Sequence, residues 1–517
     1  MRKWLYIAVF ASGLASLAVE MTASRLLGNY FGASNLTWAV IIGLILIYLT
    51  AGYFLGGYWA DRSPHQATFF KILAWGALAI GLIPVVSQPI LQAAADAFDQ
   101  LEFGVLIGSF VVVMILFVVP VTLLGTASPF AIRLALSDSR QAGSISGRIY
   151  AISTLGSFAG TFLPVLLLIP WIGTYRTFLV ISAVLLVTAL IGLAATCGLK
   201  KVLPLLWMPV LIAGLGIFGA RGAIKNTPGL IYEDDSAYNY IQVLQLGETR
   251  LLRLNDGQGV HSIYHPTEFF YNGPWEQVLV APFFNPAPVD PQDVTSLAIV
   301  GLAAGTTARQ ATHVFPHIQI EGIEIDPDIV AVGEQYFDMT MPNLQVTIQD
   351  GRWALANNPN HFQIISIDAY RPPYIPWHLT TKEFFEIVRD HLTEDGVMVI
   401  NVGRSPQDRR LIETLSSTIL TVFPSVHIMD LPDSFNSILF ATVQPTAFEN
   451  LLENFTALGQ NPQTPPLLLQ AMAVTVTNYQ PTPPRGRVFT DDWAPIEWIT
   501  NDMIFDFLFS GGAQILQ

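Results

Sequence analysis

Residues 297–326 read LAIVGLAAGTTARQATHVFPHIQIEGIEID, and the way this run breaks up decides the fold. Leu297 to Val300 is a short apolar run of the kind shown by a parallel strand buried on both faces. Gly301, Ala303 and Gly305 follow at two-residue spacing, making a turn with almost no side chains. Such a turn lets backbone approach a ligand closely, while Thr306 onward starts a helix whose N-terminus suits an anion. Residues 319–323 form the next strand, and Glu324 stands at its end. That is roughly 20 residues past the turn, where a carboxylate can take both hydroxyls of a ribose. A small-residue turn alone carries little weight. With a strand before it, a helix after it and an acid ending the second strand, the run reads as a nucleotide cradle.

Around this cradle the composition is that of a membrane protein. Of the 517 residues 52% are hydrophobic and only 12% are charged. Soluble globular chains carry about 25% charged residues. The apolar excess lies before about residue 220, so a membrane half precedes a soluble half. A formal net charge of −14 argues against nucleic acid as a partner, since phosphate contacts need clustered Lys and Arg. The sole cysteine, Cys197, lies in an apolar segment, which excludes a disulfide framework and a Cys-based metal site. His261, His265, His313, His317, His361 and His378 show no metal-ligand spacing with neighbouring acids, so no metal is expected.

A span needs roughly 20 mostly apolar residues, and about seven stretches qualify. They are 4–27, 36–58, 69–91, 103–124, 149–172, 178–196 and 202–220. Arg2 and Lys3 before an apolar run also fit a signal peptide, but the further spans favour an uncleaved first helix. Arg2, Lys3, Arg62, Lys71, Arg133, Arg140, Arg148, Lys200 and Lys201 fall on one alternating side, which should be cytoplasmic. Seven spans starting inside would leave the soluble half outside, away from cytosolic nucleotides, so its side stays open at this stage. Glu20 and Arg25 in the first span are expected to face the bundle interior or its rim. GGYWADR at 56–62 resembles a loop of major-facilitator transporters, and the membrane half resembles half of one. Gly147, Gly156 and Gly160 are small residues at helical spacing and predict close helix packing.

From residue 231 the pattern changes to period two. Residues 240–246 and 250–254 predict a hairpin about Gly247-Glu248, with a further strand at 260–264. After Asp326 a helix runs to about Phe337, and strands at 344–348 and 362–367 end near Asp350 and Asp368. A helix at 380–391, a strand at 397–402, a helix at 409–422 and strands at 426–431 and 437–442 complete a doubly wound, Rossmann-like α/β sheet. Ligands sit outside the carboxyl ends of such strands, where Gly301, Glu324, Asp350 and Asp368 all fall. The expected organisation is a polytopic membrane domain at 1–220, a β-rich subdomain at 229–290, a nucleotide-binding domain at 291–445 and an extension at 446–517.

Residues 231–442 resemble the spermidine synthase (polyamine aminopropyltransferase) family, and the fusion to a half-transporter-like region resembles its membrane-fused branch. The carrying pieces are LNDGQGVHSIY, VGLAAGT, IEGIEIDPDIV, VTIQDGRWAL, ISIDAY and LTTKEFFEIVRDHLTEDGVMVIN. The resemblance implies a fold like that of class I S-adenosylmethionine methyltransferases and a co-substrate that is decarboxylated S-adenosylmethionine or S-adenosylmethionine, with no permanently bound cofactor. By resemblance, Glu324 holds the ribose, Asp350 with Gly351 the adenine amine, and Gln258 a position at the nucleotide site beside Gly301, Ala303 and Gly305. Asp368 matches the family's catalytic aspartate.

Amine transfer needs a carboxylate to take a proton and further acids to hold a diamine. Here the family's other amine-site positions hold Ala304, Arg371, Trp275 and Ala281, which leaves the acceptor amine open. An arginine beside Asp368 should repel a polyamine and lower that acid's pKa. YRPPYIPW at 370–377 predicts a gate over the site or a rigid packing loop, and Asp491, Asp492 and Glu497 either rebuild the amine site or mark a capped helix start. Three readings follow: an aminopropyltransferase-like enzyme of the cell membrane, a binding or assembly module without turnover, and a methyltransferase. The expected partners are an adenosyl nucleotide, an amine, membrane lipid, and a second copy or another membrane protein.

Overall fold

The computed structural model describes residues 2–31, 35–101, 105–136, 139–219, 227–255, 259–370, 374–405, 408–483 and 486–509. Gln258 and Arg371, with the rest of 256–258 and 371–373, lie outside the described residues. The chain forms two compact units, Met1–Asn226 and Thr227–Gln517.

The first unit is helical. Among the described residues, five helices are long and apolar enough to cross a membrane: Lys3–Gly28, Trp38–Arg62, Gln66–Leu91, Phe110–Ala135 and Ala142–Cys197. Leu199–Leu205 and Trp207–Gly219, bent by 41°, bring the count to six if they act as one span. The difference from the seven expected lies in Ala142–Cys197, where two apolar stretches run together as 56 residues. Gly173, at φ 78°, breaks the helix there. The expected glycine packing holds at two of three positions. A Cβ on Gly156 or Gly160 would strike the backbone of the first helix at Phe10 and Leu14, whereas Gly147 faces open space. Within GGYWADR, Asp61 accepts from Arg133 Nε at 2.9 Å and Arg62 stacks over Tyr58.

The second unit opens with an antiparallel meander of four strands: β1 (Leu230–Asp235), β2 (Tyr240–Leu246), β3 (Thr249–Leu254) and β4 (Val260–Tyr264). Alternation puts Ile241, Val243, Leu252 and Leu254 on one face. That face packs on Ala304 of the glycine turn and on Ile329, Val332 and Phe337 of the helix region after it. The small sheet therefore roofs the turn.

The large sheet contains β5 (Ser296–Val300), β6 (Gln319–Glu324), β7 (Leu344–Ile348), β8 (Phe362–Ile367), β9 (Leu392–Gly403), β10 (Ser425–Asp430), β11 (Asn436–Thr442) and β12 (Tyr479–Gln480). Its order is β7-β6-β5-β8-β9-β11-β10-β12, parallel from β7 to β9 and antiparallel beyond. Successive residues of β5 feed opposite cores, Leu297 and Ile299 one and Ala298 and Val300 the other. Burial on both faces explains the unbroken apolar run, each such side chain contributing about 1.5–3 kcal/mol. The chain winds outward from β5 to β7 and then returns to β8 on the other side. That reversal is a topological switch point, and it lies between the carboxyl ends of β5 and β8. β9 begins at Leu392, five residues before the predicted start at Val397, because Leu392 pairs with Phe362 ahead of an irregularity. Helices Phe448–Gly459, Pro466–Thr477 and Ile496–Phe509 follow in the extension.

Candidate functional site

The glycine turn leaves β5 with three residues at positive φ: Gly301 (91°), Ala303 (50°) and Gly305 (82°). Gly301 is demanded by space as well as by φ. A Cβ there would lie 2.6 Å from Cα and N of Ala369, which follows β8 at the switch point. Gly301 N–H and Leu302 N–H donate to Ile323 O at 2.9 and 3.1 Å, tying the turn to β6. Ala303 N–H donates to Glu324 Oε2 at 2.9 Å, and Glu324 Oε1 accepts from the N–H groups of Ile325 and Asp326 at 2.9 and 3.1 Å. Burial raises the Glu324 carboxyl above its ordinary value, outweighing the opposing pull of these backbone donors. Glu324 thus closes the loop of the cradle it was expected to serve, leaving lone pairs on both oxygens for a ligand.

Asp326, next along, docks the small sheet. Its Oδ2 accepts from Ser236 Oγ at 2.6 Å and Asn239 Nδ2 at 2.9 Å, and its Oδ1 caps the following helix at Asp328 N–H. Ser262 Oγ of β4 accepts Ala304 N–H at 2.9 Å.

Asp368 follows β8 and is half-buried beside the turn, its own N–H donating to Val300 O at 2.9 Å. Burial pushes its carboxyl up to about 6, against a hydrogen bond from Asn401 Nδ2 at 2.9 Å. This corrects the expected lowering: surroundings that desolvate the carboxylate outweigh the opposing donor. Asn401 is itself oriented, accepting from Asn436 Nδ2 at 2.8 Å and, at its carbonyl, from Tyr370 Oη at 3.0 Å. Sequence reasoning gave Asn401 no role. Its signal was an amide interrupting the buried apolar run of β9.

Asp350 caps helix Gly351–Ala356, its Oδ1 accepting Trp353 N–H at 3.0 Å. Its Oδ2 lies 3.1 Å from His378 Nε2. Arg352 forms a bidentate pair with Asp491, both bonds at 2.7 Å, and also donates to His378 O at 3.2 Å. Thr381 Oγ1 donates to Asp491 at 2.8 Å. Asp491 is therefore spent on a clamp that holds the extension, and its pKa is pulled down by Arg352. The expectation that it rebuilds an amine site gives way to this pairing. Trp275 is buried, and Ala281 lies in the core beneath the sheet. Past the undescribed stretch of the expected gate, Tyr374 Oη donates to Asn501 at 2.6 Å.

The Gly301 turn, Glu324 and Asp368 thus meet at the switch point, with Asp350 at the end of the outer strand β7. A family model described as the spermine/spermidine synthase domain matches residues 290–450. A probable polyamine aminopropyl transferase of Bifidobacterium longum is 35% identical over 215 residues, 41% of this chain and 47% of that protein. The chain thus spans about half the length of that relative. A polyamine aminopropyltransferase of Vibrio vulnificus is 25% identical over 283 residues, 52% of this chain and 90% of that protein. A solved spermidine synthase of Thermotoga maritima, 20% identical, covers 49% of this chain and 84% of its own at a TM-score of 0.39. Residues 290–450 of the second unit thus match the spermine/spermidine synthase domain model, and relatives of this unit are named polyamine aminopropyltransferase.

Proposed function

We propose that this chain is a multi-pass protein of the cell membrane whose second unit binds decarboxylated S-adenosylmethionine or a related adenosyl nucleotide and transfers its aminopropyl group to an amine. Glu324 holds the ribose, Asp350 with Gly351 the adenine edge, and the backbone of Gly301, Ala303 and Gly305 lies against the sulfonium side. Gln258 completes the nucleotide site. The observation that carries this reading is the meeting of a side-chain-free turn, closed by Glu324, with an aspartate at the next strand end. That aspartate, Asp368, has a pKa raised to about 6, close to what a base working near neutral pH needs. Burial gives it proton affinity, and Asn401 fixes the direction of one oxygen. The five long apolar helices support the membrane location by length and composition.

The pairing of Asp491 with Arg352 favours a second reading, binding without turnover, because it removes a candidate carboxylate from the amine side. Calorimetry on the full chain in detergent with methylthioadenosine and S-adenosylmethionine, followed by product analysis with putrescine and either decarboxylated S-adenosylmethionine or S-adenosylmethionine as donor, separates the readings. Binding with aminopropyl transfer is expected. Binding with no transfer leaves the module, a transferred methyl group points to a methyltransferase, and no binding of either nucleotide sinks the adenosyl site.

A further inference from the structure

β4 carries a histidine that neither the fold nor the proposed transfer uses. Across the meander Ser262 pairs with Leu252 and Val260 with Arg253, so His261 between them has no residue opposite. A one-residue bulge of this kind re-aims a side chain, and bulges gather beside active sites. This one lies along the glycine turn. Ser262 Oγ accepts Ala304 N–H at 2.9 Å, and Ile263 exchanges hydrogen bonds of 2.8 and 3.0 Å with Thr306 Oγ1 at the start of the turn's helix. The His261 ring folds back over Gly259, where a Cβ would lie 3.6 Å from Nε2.

His261 Nε2 is shielded from water and has no hydrogen-bond partner. A buried polar atom without a partner costs free energy, and a native site that tolerates one has a use for it. Burial pushes the imidazole down to about 4, so the ring is neutral at pH 7 and one of its nitrogens is an acceptor. The turn beside it has no such group to offer. Ala303 and Ala304 end in methyls, and the lone pairs left on Glu324 beside its backbone donors are those assigned above to the ribose.

We propose that His261 accepts a hydrogen bond from the amino group on the tail of the bound adenosyl nucleotide and so sets which nucleotide the site prefers. The assignment rests on the adenosyl reading above and adds a specificity-determining residue to it. A neutral acceptor suits an alkylammonium N–H and, carrying a lone pair, gives nothing to a tail carboxylate. The site is thereby tuned to a nucleotide with a bare amino tail.

The test titrates the full chain in detergent with decarboxylated S-adenosylmethionine, which carries the tail amine, and with methylthioadenosine, which lacks it. His261→Ala is expected to weaken the first about tenfold and leave the second within about twofold, as loss of one charge-assisted hydrogen bond requires. His261→Gln, which keeps an acceptor at similar reach, is expected to retain most of the preference, and thermal melts of both variants report whether the fold is kept. An equal loss for both nucleotides, or no loss for either, overturns the role of His261 while the adenosyl site stands. Failure of the unaltered chain to bind methylthioadenosine overturns the adenosyl reading and this assignment together.

Discussion

The turn side and the gate side of the site are held by opposite means. On the turn side, the fastenings of Glu324 join its carboxylate to backbone no more than 21 residues away: Ala303, Ile325 and Asp326 all donate to it. On the gate side, charged side chains meet from distant segments. Asp350 meets His378 across 28 residues, and Arg352 meets Asp491 across 139. Backbone donors fixed by secondary structure lose little entropy on engaging, whereas long side chains such as Arg lose about 2 kcal/mol of rotamer freedom. The Glu324 fastenings thus cost little side-chain entropy, and the gate-side contacts cost more.

The two sides divide the chemistry as well. Asp368 stands at the turn side and carries the proton step, so its loss should have the largest effect. Asp368→Asn is expected to lower the turnover of aminopropyl transfer by about 10² to 10⁴ and leave methylthioadenosine affinity within about twofold. A turnover drop below about threefold would break the assignment of the base.

Next in size is Gly301→Ala. The new Cβ would sit 2.6 Å from the Ala369 backbone at a φ of 91°, which should cost about 3 kcal/mol and abolish nucleotide binding. A variant that melts like the parent would show that the turn is softer than its contacts imply.

A smaller effect sharpens the same side through pH. The folded Asp368 carboxyl titrates near 6 and its ordinary value is 3.8, so the folded chain binds the proton more tightly. Protonation then favours the fold, and Asp368 should subtract stability progressively as pH rises from about 4 to about 6, with no further change above. In Asp368→Asn that part of the slope should vanish in urea denaturation across this range. Transfer should run the other way, rising through pH 6 as the base loses its proton.

What was legible follows the same division. The turn, the strand-end acids Glu324, Asp350 and Asp368, and the parallel strands could be read because their determinants are local: period, glycine and an acid at a fixed offset. The bulge at His261 could not, since VHSIY is an ordinary alternating strand until its register against Arg253 is known. Asn401 was hidden because an amide within a strand carries no sign of which carboxylate it orients until the neighbouring strand end is placed. The pairing of Asp491 was hidden for a related reason. Its partner Arg352 lies in a different segment, and no spacing in TDDWAPIEW announces it.

The smallest expected effect bears on whether the gate side matters to function at all. Arg352 and Asp491 are 22% and 40% exposed, so solvent screens them, but their bidentate geometry keeps part of the attraction. A double-mutant cycle with Arg352→Met and Asp491→Asn should give a coupling of about 1 kcal/mol that shrinks in 1 M salt. Arg352 follows Gly351 in the helix that Asp350 caps, and it also holds the His378 carbonyl. Release of the clamp should therefore loosen Asp350 and weaken methylthioadenosine binding by about two- to threefold. If stability falls with affinity unchanged, the extension only braces the sheet, and the gate side has no hold on the nucleotide. If affinity falls and salt reproduces the fall in the unaltered chain, the remote pair is tuning the adenine edge, and the side held by distant side chains is the one through which the site is adjusted.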